Sequence, residues 1–319
     1  VVDNPSDQLN STSLFKQFNL IGFETKFGKI KSEIDFGYSH LTNKAFNPEL
    51  RFKSSFPWNE SKLQLSISQQ AHSIIPSFYL FNDEMEPFNS SNIAVDYFIN
   101  QKRIYAQIGV FYHFYRKIPV ANNDFISYFD RIDLIENEIR NNTFRQSGTA
   151  SNYGVHTLFE YLISNKIQFI QSFSLYDLAV QINSKDIQSS YNFGSTASTS
   201  LSYSLINKNN KKLILSSSLN LRGAAYELSI DLTKSRNQNT TIYNTDNPKE
   251  RFSNTYFRMD AKIDYIFGNN AQYRLSLDIQ NLTNQTNGAY RYFDPVQDRI
   301  LIQNQLGLIP IITFSGKLD

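Results

Sequence analysis

The segment Tyr256-Phe-Arg-Met-Asp-Ala-Lys-Ile-Asp-Tyr-Ile-Phe267, a Gly268-Asn-Asn turn, and Tyr273-Arg-Leu-Ser-Leu-Asp-Ile-Gln-Asn-Leu-Thr283 decide the fold of this chain. Both halves alternate with period 2, so as strands they send successive side chains to opposite faces. Phe257, Met259, Ala261, Ile263, Tyr265 and Phe267 share one face, with Arg258, Asp260, Lys262 and Asp264 on the other. After the turn, Tyr273, Leu275, Leu277 and Ile279 oppose Arg274, Ser276, Asp278 and Gln280. In a soluble sandwich the apolar face is core. In a transmembrane barrel it meets lipid, and the charged face lines a wet lumen.

The rest of the chain chooses between these. The pattern predicts thirteen strands, the others being Phe18–Phe27, Lys31–Tyr38, Leu50–Phe56, Lys62–Gln70, Asn92–Ile99, Ile104–Tyr115, Tyr153–Ile163, Ile167–Leu178, Ser195–Ile206, Lys212–Arg222 and Leu306–Leu318. Short turns such as Gly28-Lys29 and Ser164-Asn-Lys166 alternate with longer connections: one holding Asn47-Pro48, then 71–91, 118–150 with a helical turn around Ile132–Ile139, 182–194, 224–254 and 284–304. The Asn-rich 235–248 reads as a mobile surface loop. An outer-membrane barrel puts short turns at its periplasmic end and long loops outside. A soluble meander has no reason to gather every long loop at one end. Arg51, Lys53, Asp96 and Glu160 also fall on the polar faces, where a dry core would not tolerate them. The expected fold is therefore all-β, an antiparallel transmembrane barrel segment filling residues 1–319.

Composition agrees. A net charge of +2 does not point to nucleic acid. No run of 18 apolar residues predicts a spanning helix, and a mean hydropathy of −0.41 is compatible with alternating strands diluted by polar loops. Cysteine is absent, excluding disulfide frameworks and thiolate metal sites. Aromatics reach 14%, ample for interfacial girdles.

The last three strands carry a resemblance. Phe257-Arg-Met-Asp-Ala-Lys-Ile-Asp-Tyr, Leu275-Ser-Leu-Asp-Ile-Gln-Asn-Leu-Thr-Asn284 and Gln305-Leu-Gly-Leu-Ile-Pro-Ile311 resemble the end of TonB-dependent outer-membrane receptor barrels, in the Bacteroidota flavour. Upstream, Pro48-Glu-Leu-Arg-Phe52, Ser77-Phe-Tyr-Leu-Phe81, Tyr112-His-Phe-Tyr-Arg-Lys-Ile-Pro119, Ser151-Asn-Tyr-Gly-Val-His156 and Ser174-Leu-Tyr-Asp177 are similar to the same group in the same order. Two positions depart from it: His156, where an acidic residue is expected, and Gly223-Ala-Ala-Tyr226, where Gly and Arg are usual. The resemblance implies a barrel of 22 strands with a plugged lumen, of which this chain is the C-terminal portion and Phe18–Phe27 the tenth strand. It also implies a terminal aromatic one residue beyond Asp319. The implied function is TonB-dependent uptake of a scarce nutrient (siderophore, haem, cobalamin, peptide or glycan) at the bacterial outer membrane. The implied partners are outer-membrane lipid, the protein's own N-terminal plug, the TonB complex and a small-molecule or oligomeric nutrient. A passive porin of about 14 strands and a soluble β-rich binding protein are the alternatives.

No catalytic set, cofactor or metal site is expected. His40, His72, His113 and His156 are scattered, and Asp83, Glu84 and Glu86 lack the spacing of a calcium loop. His113 reads as an aromatic neighbour at the interface or in the lumen. Arg258, Asp260, Lys262, Asp264, Arg274, Asp278 and Gln280 form a mixed-sign lumenal ladder suited to stiffening the wall and contacting a plug. Ligand contact is expected from loop aromatics: Tyr79, Phe81, Phe88, Tyr128, Phe129, Tyr243, Tyr290, Tyr292 and Phe293.

Overall fold

A computed structural model describes residues 16–41, 46–72, 85–130, 144–208, 210–244, 248–252, 254–269 and 272–317, with side chains described from 21 to 38 and from 48 onward. In chain order the strands are β1 (Lys16–Phe27), β2 (Ile30–Leu41), β3 (Phe46–Trp58), β4 (Ser61–His72), β5 (Phe88–Asn100), β6 (Ile104–Ala121), β7 (Phe144–Ser164), β8 (Ile167–Ile182) and β9 (Lys185–Gln188). Then come β10 (Ser195–Lys208), β11 (Lys211–Arg222), β12 (Tyr226–Leu228), helix α1 (Leu232–Gln238), β13 (Lys249–Arg251), β14 (Tyr256–Phe267), β15 (Tyr273–Gln280), β16 (Gly288–Asp294), β17 (Arg299–Asn304) and β18 (Ile309–Gly316). One antiparallel wall runs β1 to β8, then β10, β11, β14, β15 and β18, each strand beside the next. These are the thirteen strands expected from the pattern.

Two rungs of the wall show why it has two different faces. On one side Leu65, Val95, Val110, Val155 and Leu175 stand opposite one another across β4 to β8. One position along, Gln64, Asp96, Gly109, His156 and Ser174 cross the same strands on the other side. The aliphatic face is open: Ile108, Val110, Leu175, Leu201, Leu221, Ile263 and Phe314 are all exposed. The polar face is the sheltered one, with Gln64, Asp96, Asp264 and Ser276 buried. An apolar patch of this extent far exceeds what a protein in water exposes. It is the sidedness of a wall with lipid outside and a wet lumen inside. No helix among the described residues is long and apolar enough to cross a membrane.

Turn chemistry orders the short-turn end. Gly28 (φ 61), Asn59 (φ 54) and Gly268 (φ 86) supply the left-handed conformations that tight hairpins require. At the other end, the strands outrun the pattern. A bilayer-crossing strand needs about 9–11 residues, whereas β6, β7 and β8 have 18, 21 and 16. The predicted loop 118–150 is thus much shorter, and β6 and β7 pair as far as Ala121 and Phe144. The reason is a bulge. Lys117 takes a left-handed φ of 56, and the register shifts between Arg116 and Ile118. One extra residue inverts the phase, so Ile118 and Val120 turn to the same side as Tyr115 and become fully buried. They meet Met85, Phe88, Phe125, Ile126, Phe144, Ala150, Val180, Ile182 and Leu228 in a compact hydrophobic core beyond the membrane layer.

Other expectations are corrected in the same region. Pro48 lies within β3 opposite Tyr38, not in a loop. The 224–254 connection holds the ribbon β12–β13 and helix α1, and 284–304 folds as the hairpin β16–β17. Within 235–248, Ser235 is fully buried and exchanges hydrogen bonds with Ile242, while Ile230 and Tyr243 form a β-bridge. The helical turn predicted around Ile132–Ile139 falls outside the described residues.

Candidate functional site

The mixed-sign ladder is assembled by strand register. Asn220, Ser218 and Ser216 of β11 face Arg258, Asp260 and Lys262 of β14, and Lys262 and Asp264 in turn face Asp278 and Ser276 of β15. Arg258 Nε donates to Asp260 at 2.7 Å. Arg274 holds Asp264 through two nitrogens, at 2.9 and 2.8 Å, and Ser276 donates to the same carboxylate at 2.5 Å. Lys262 stands 3.7 Å from it. Asp264 is thereby satisfied although buried, as a desolvated carboxylate must be. Gln280 ends the ladder opposite Ile309 of β18. All seven ladder residues lie on the inner face, side by side.

A second polar group sits across the wall. Asp96 of β5 and His156 of β7 meet at 2.8 Å, and Gln107 of β6 donates to Asp96 at 2.9 Å. Phe111 and His113 line the same inner face, ring centroids 5.0 Å apart.

Beyond the membrane layer the connections are knitted together. Asp130 is fully buried; its carboxylate accepts from the backbone and hydroxyl of Ser127 at 2.8 and 3.1 Å and from those of Ser190 at 2.9 Å each. Lys249 completes the cage at 2.6 Å and also donates to the Gln188 carbonyl. Three successive connections, β6–β7, β9–β10 and β11–β14, therefore share one ion pair. The Gln146 side chain clamps a fourth by exchanging hydrogen bonds with the backbone of Glu86 at 2.7 and 2.6 Å. Arg291 on β16 reaches Glu227 and Glu250 of the β12–β13 ribbon, and Arg236 pairs with Asp298 at 2.7 Å. At the start of α1, Asp231 caps Lys234 N at 3.0 Å, and that backbone N–H is the main cause that holds the carboxyl below its ordinary pKa. Between Asp124, Asn183, Asp186 and Lys249 this assembly leaves a polar cleft of about 500 Å³.

The loop aromatics separate into two groups. Phe88 and Phe293 are buried, and Tyr128 and Phe129 pack against the loop core. Tyr243 and Tyr290 are exposed, and Tyr292 lies 6.2 Å from Tyr290 on the same face of β16. Tyr79 and Phe81 lie outside the described residues, as do Asp83 and Glu84. Asp130, Lys249 and Gln146 carried no signal in the sequence, because the contacts that join separate connections span 60 to 119 residues.

No protein-family model matches the sequence, and no curated protein matches it. The siderophore receptor PirA from Acinetobacter baumannii aligns with a TM-score of 0.65 at 10% identity, over 94% of this chain and 45% of that one. The FrpB iron transporter from Neisseria meningitidis aligns with 0.61 at 11% identity, over 93% and 44%. The ferric citrate transporter FecA aligns with 0.58 at 12% identity, over 94% and 44%. The chain has the fold of part of the β-barrel of these receptors and transporters. At such identities the likeness is one of fold, and this chain spans less than half the length of each of these three proteins. The ladder and the Asp96–His156 pair share the sheltered polar face of the wall, and the knitted connections lie beyond the strand ends opposite the short turns.

Proposed function

We propose that the chain is the C-terminal barrel portion of an outer-membrane active transporter, which draws a scarce nutrient through a plugged lumen using work delivered by TonB. The observation that carries this reading is the two-faced wall: an aliphatic rung across five strands, backed by a rung of Gln, Asp, His and Ser. Such a wall is stable between lipid and a polar lumen filling. The ladder from Arg258 to Gln280 would contact the plug as well as brace the wall. The matched proteins are by name iron, ferric citrate and siderophore receptors, which favours an iron carrier among the nutrient classes. Tyr290, Tyr292 and Tyr243, with Tyr79 and Phe81, would touch the ligand. Phe88, Tyr128, Phe129 and Phe293 would shape the surface that presents them.

The test is to purify the native polypeptide from outer membranes, weigh it and insert it in planar bilayers. The expected result is a mass roughly twice the 36.9 kDa of this chain, or more, because the implied 22-stranded wall needs that length. It should be accompanied by silence in the bilayer. A mass near 37 kDa with a steady ohmic conductance would establish a passive channel instead.

A further inference from the structure

Arg222 ends β11 on the inner face, directly opposite Tyr256 of β14. Its guanidinium carbon lies 4.2 Å from the Phe193 ring centroid and 4.8 Å from that of Tyr256. Two rings thus attend the cation, and Gly223 makes room for one of them. A Cβ at Gly223 would collide with the Phe193 carbonyl, so only glycine lets the β9–β10 connection approach closely enough to bring Phe193 over the arginine. This is the stretch Gly223-Ala-Ala-Tyr226 that departs from the resemblance.

What the rings cannot supply is a hydrogen-bond acceptor. Arg222 Nε is buried without a hydrogen-bond partner, and among the described residues no carboxylate lies within ion-pair distance of this side chain. The contrast with its neighbours is sharp: Arg258, Arg274 and Arg291 are each paired with a carboxylate. Arg222 borders two clefts. One, of about 450 Å³, runs along the wall past Ser198, Asn220, Arg258 and Asp260; the other, of about 110 Å³, lies toward the loop end beside Glu227, Asn254 and Asn287, and both carboxylates already have arginine partners of their own. Ser198 donates to the Asn220 amide oxygen at 3.0 Å, which commits that acceptor within the wall. With Nε buried, the two terminal nitrogens of the ring-flanked guanidinium are the pair that a planar, bidentate acceptor can reach.

We propose that Arg222, flanked by Phe193 and Tyr256, is an oxyanion-binding residue of the lumenal wall, taking a carboxylate or phosphate group edge-on from the adjoining cleft. The oxyanion can come from a diffusing ligand or from an acidic side chain of a lumen-filling segment of the same protein. The proposal rests on the reading of the inner face as a lumen, not on uptake or on TonB.

The test titrates the native full-length protein in detergent with malonate at constant ionic strength. Binding is followed by calorimetry and by the arginine guanidinium N–H resonances. For a diffusing ligand, saturable malonate binding is expected, weakened roughly ten- to hundredfold in R222Q and also in R222K, which retains charge but not the planar edge. For an internal carboxylate, malonate does not bind, and the Arg222 terminal N–H resonance sits at a carboxylate-bonded position, moving when acid protonates the partner. Either result supports the site. Malonate binding unchanged in both variants would overturn it, as would no binding with a solvent-like terminal N–H resonance. The exposed loop variant R236Q is the control for charge loss. Because no step measures transport, failure here leaves the transporter reading intact, and failure of that reading leaves this test meaningful.

Discussion

Asp96 and His156 meet across the top of Gly109. The three residues stand in one rung on β5, β6 and β7, and the 2.8 Å contact passes over the middle strand because that strand presents no side chain there. A Cβ at position 109 would run into both the Asp96 carboxylate and the His156 ring.

Gly109→Val should therefore destabilise the barrel by more than its change in strand propensity predicts. Separating the pair leaves buried Asp96 with only Gln107 as partner, a loss of about 1–3 kcal/mol. Denaturant or heat unfolding of detergent-refolded protein measures it. Adding Asp96→Ala should recover much of the loss, and no recovery would show that the strain lies elsewhere.

The outward rung makes the opposite prediction. Val110 is exposed on the aliphatic face, one residue along from Gly109. Val110→Arg should cost about 2–4 kcal/mol in lipid bilayers if that face lies near the bilayer midplane. The same substitution should be nearly neutral for a soluble protein, so folding titrations in vesicles separate the two cases.

Lys249→Met removes one of the donors to Asp130 and leaves a buried carboxylate short of its counter-charge, a defect of about 3–5 kcal/mol when a buried pair is broken. The loss should be local. Hydrogen exchange should accelerate in 122–130, 185–192 and 248–251 together, while the wall strands keep their protection. Acceleration confined to one of these segments would argue against a shared staple.

Helix α1 should loosen in acid. The Asp231 carboxyl has its pKa lowered in the folded chain, chiefly by the N–H of Lys234. Its contribution is present above the unfolded carboxylate value, near about 4, and is lost as pH falls through the lower folded value. Asp231→Asn keeps a capping oxygen but should abolish this dependence. Amide exchange in 232–238 between about pH 5 and 2 reads the effect, the Asp carboxyl having an ordinary value of about 3.9. An unchanged acid response in the variant would remove the cap as its source.

The division between what the sequence shows and what it hides follows the membrane layer. Period-2 alternation locates the wall strands and assigns Arg258 through Asp264 to the inner face, because lipid enforces one strict rule on every rung. Beyond the bilayer that rule lapses. The bulge at Lys117 inverts the phase of β6, so Ile118 and Val120 read as the start of a loop although they continue the strand into a core. The β12–β13 ribbon is too short for any periodicity. Asp130 and Lys249 are ordinary loop charges until folding closes the 119-residue separation of their positions. For Arg222 the sequence supplies the inward phase and the facing Tyr256, while Phe193 arrives from a different connection.

The shared carboxylate of Asp130 bears on how such a protein can change over time. Surface loops of a barrel are ordinarily the parts most free to diverge or to be exchanged, one at a time. Here three of them are wired to a single ion pair, so a graft that replaces one strands the charges of the others. The β6–β7, β9–β10 and β11–β14 connections are coupled, so a replacement of one has to suit the other two. New binding specificity is easier to gain at the exposed tips, such as the face of Tyr290 and Tyr292, than by replacing a whole loop.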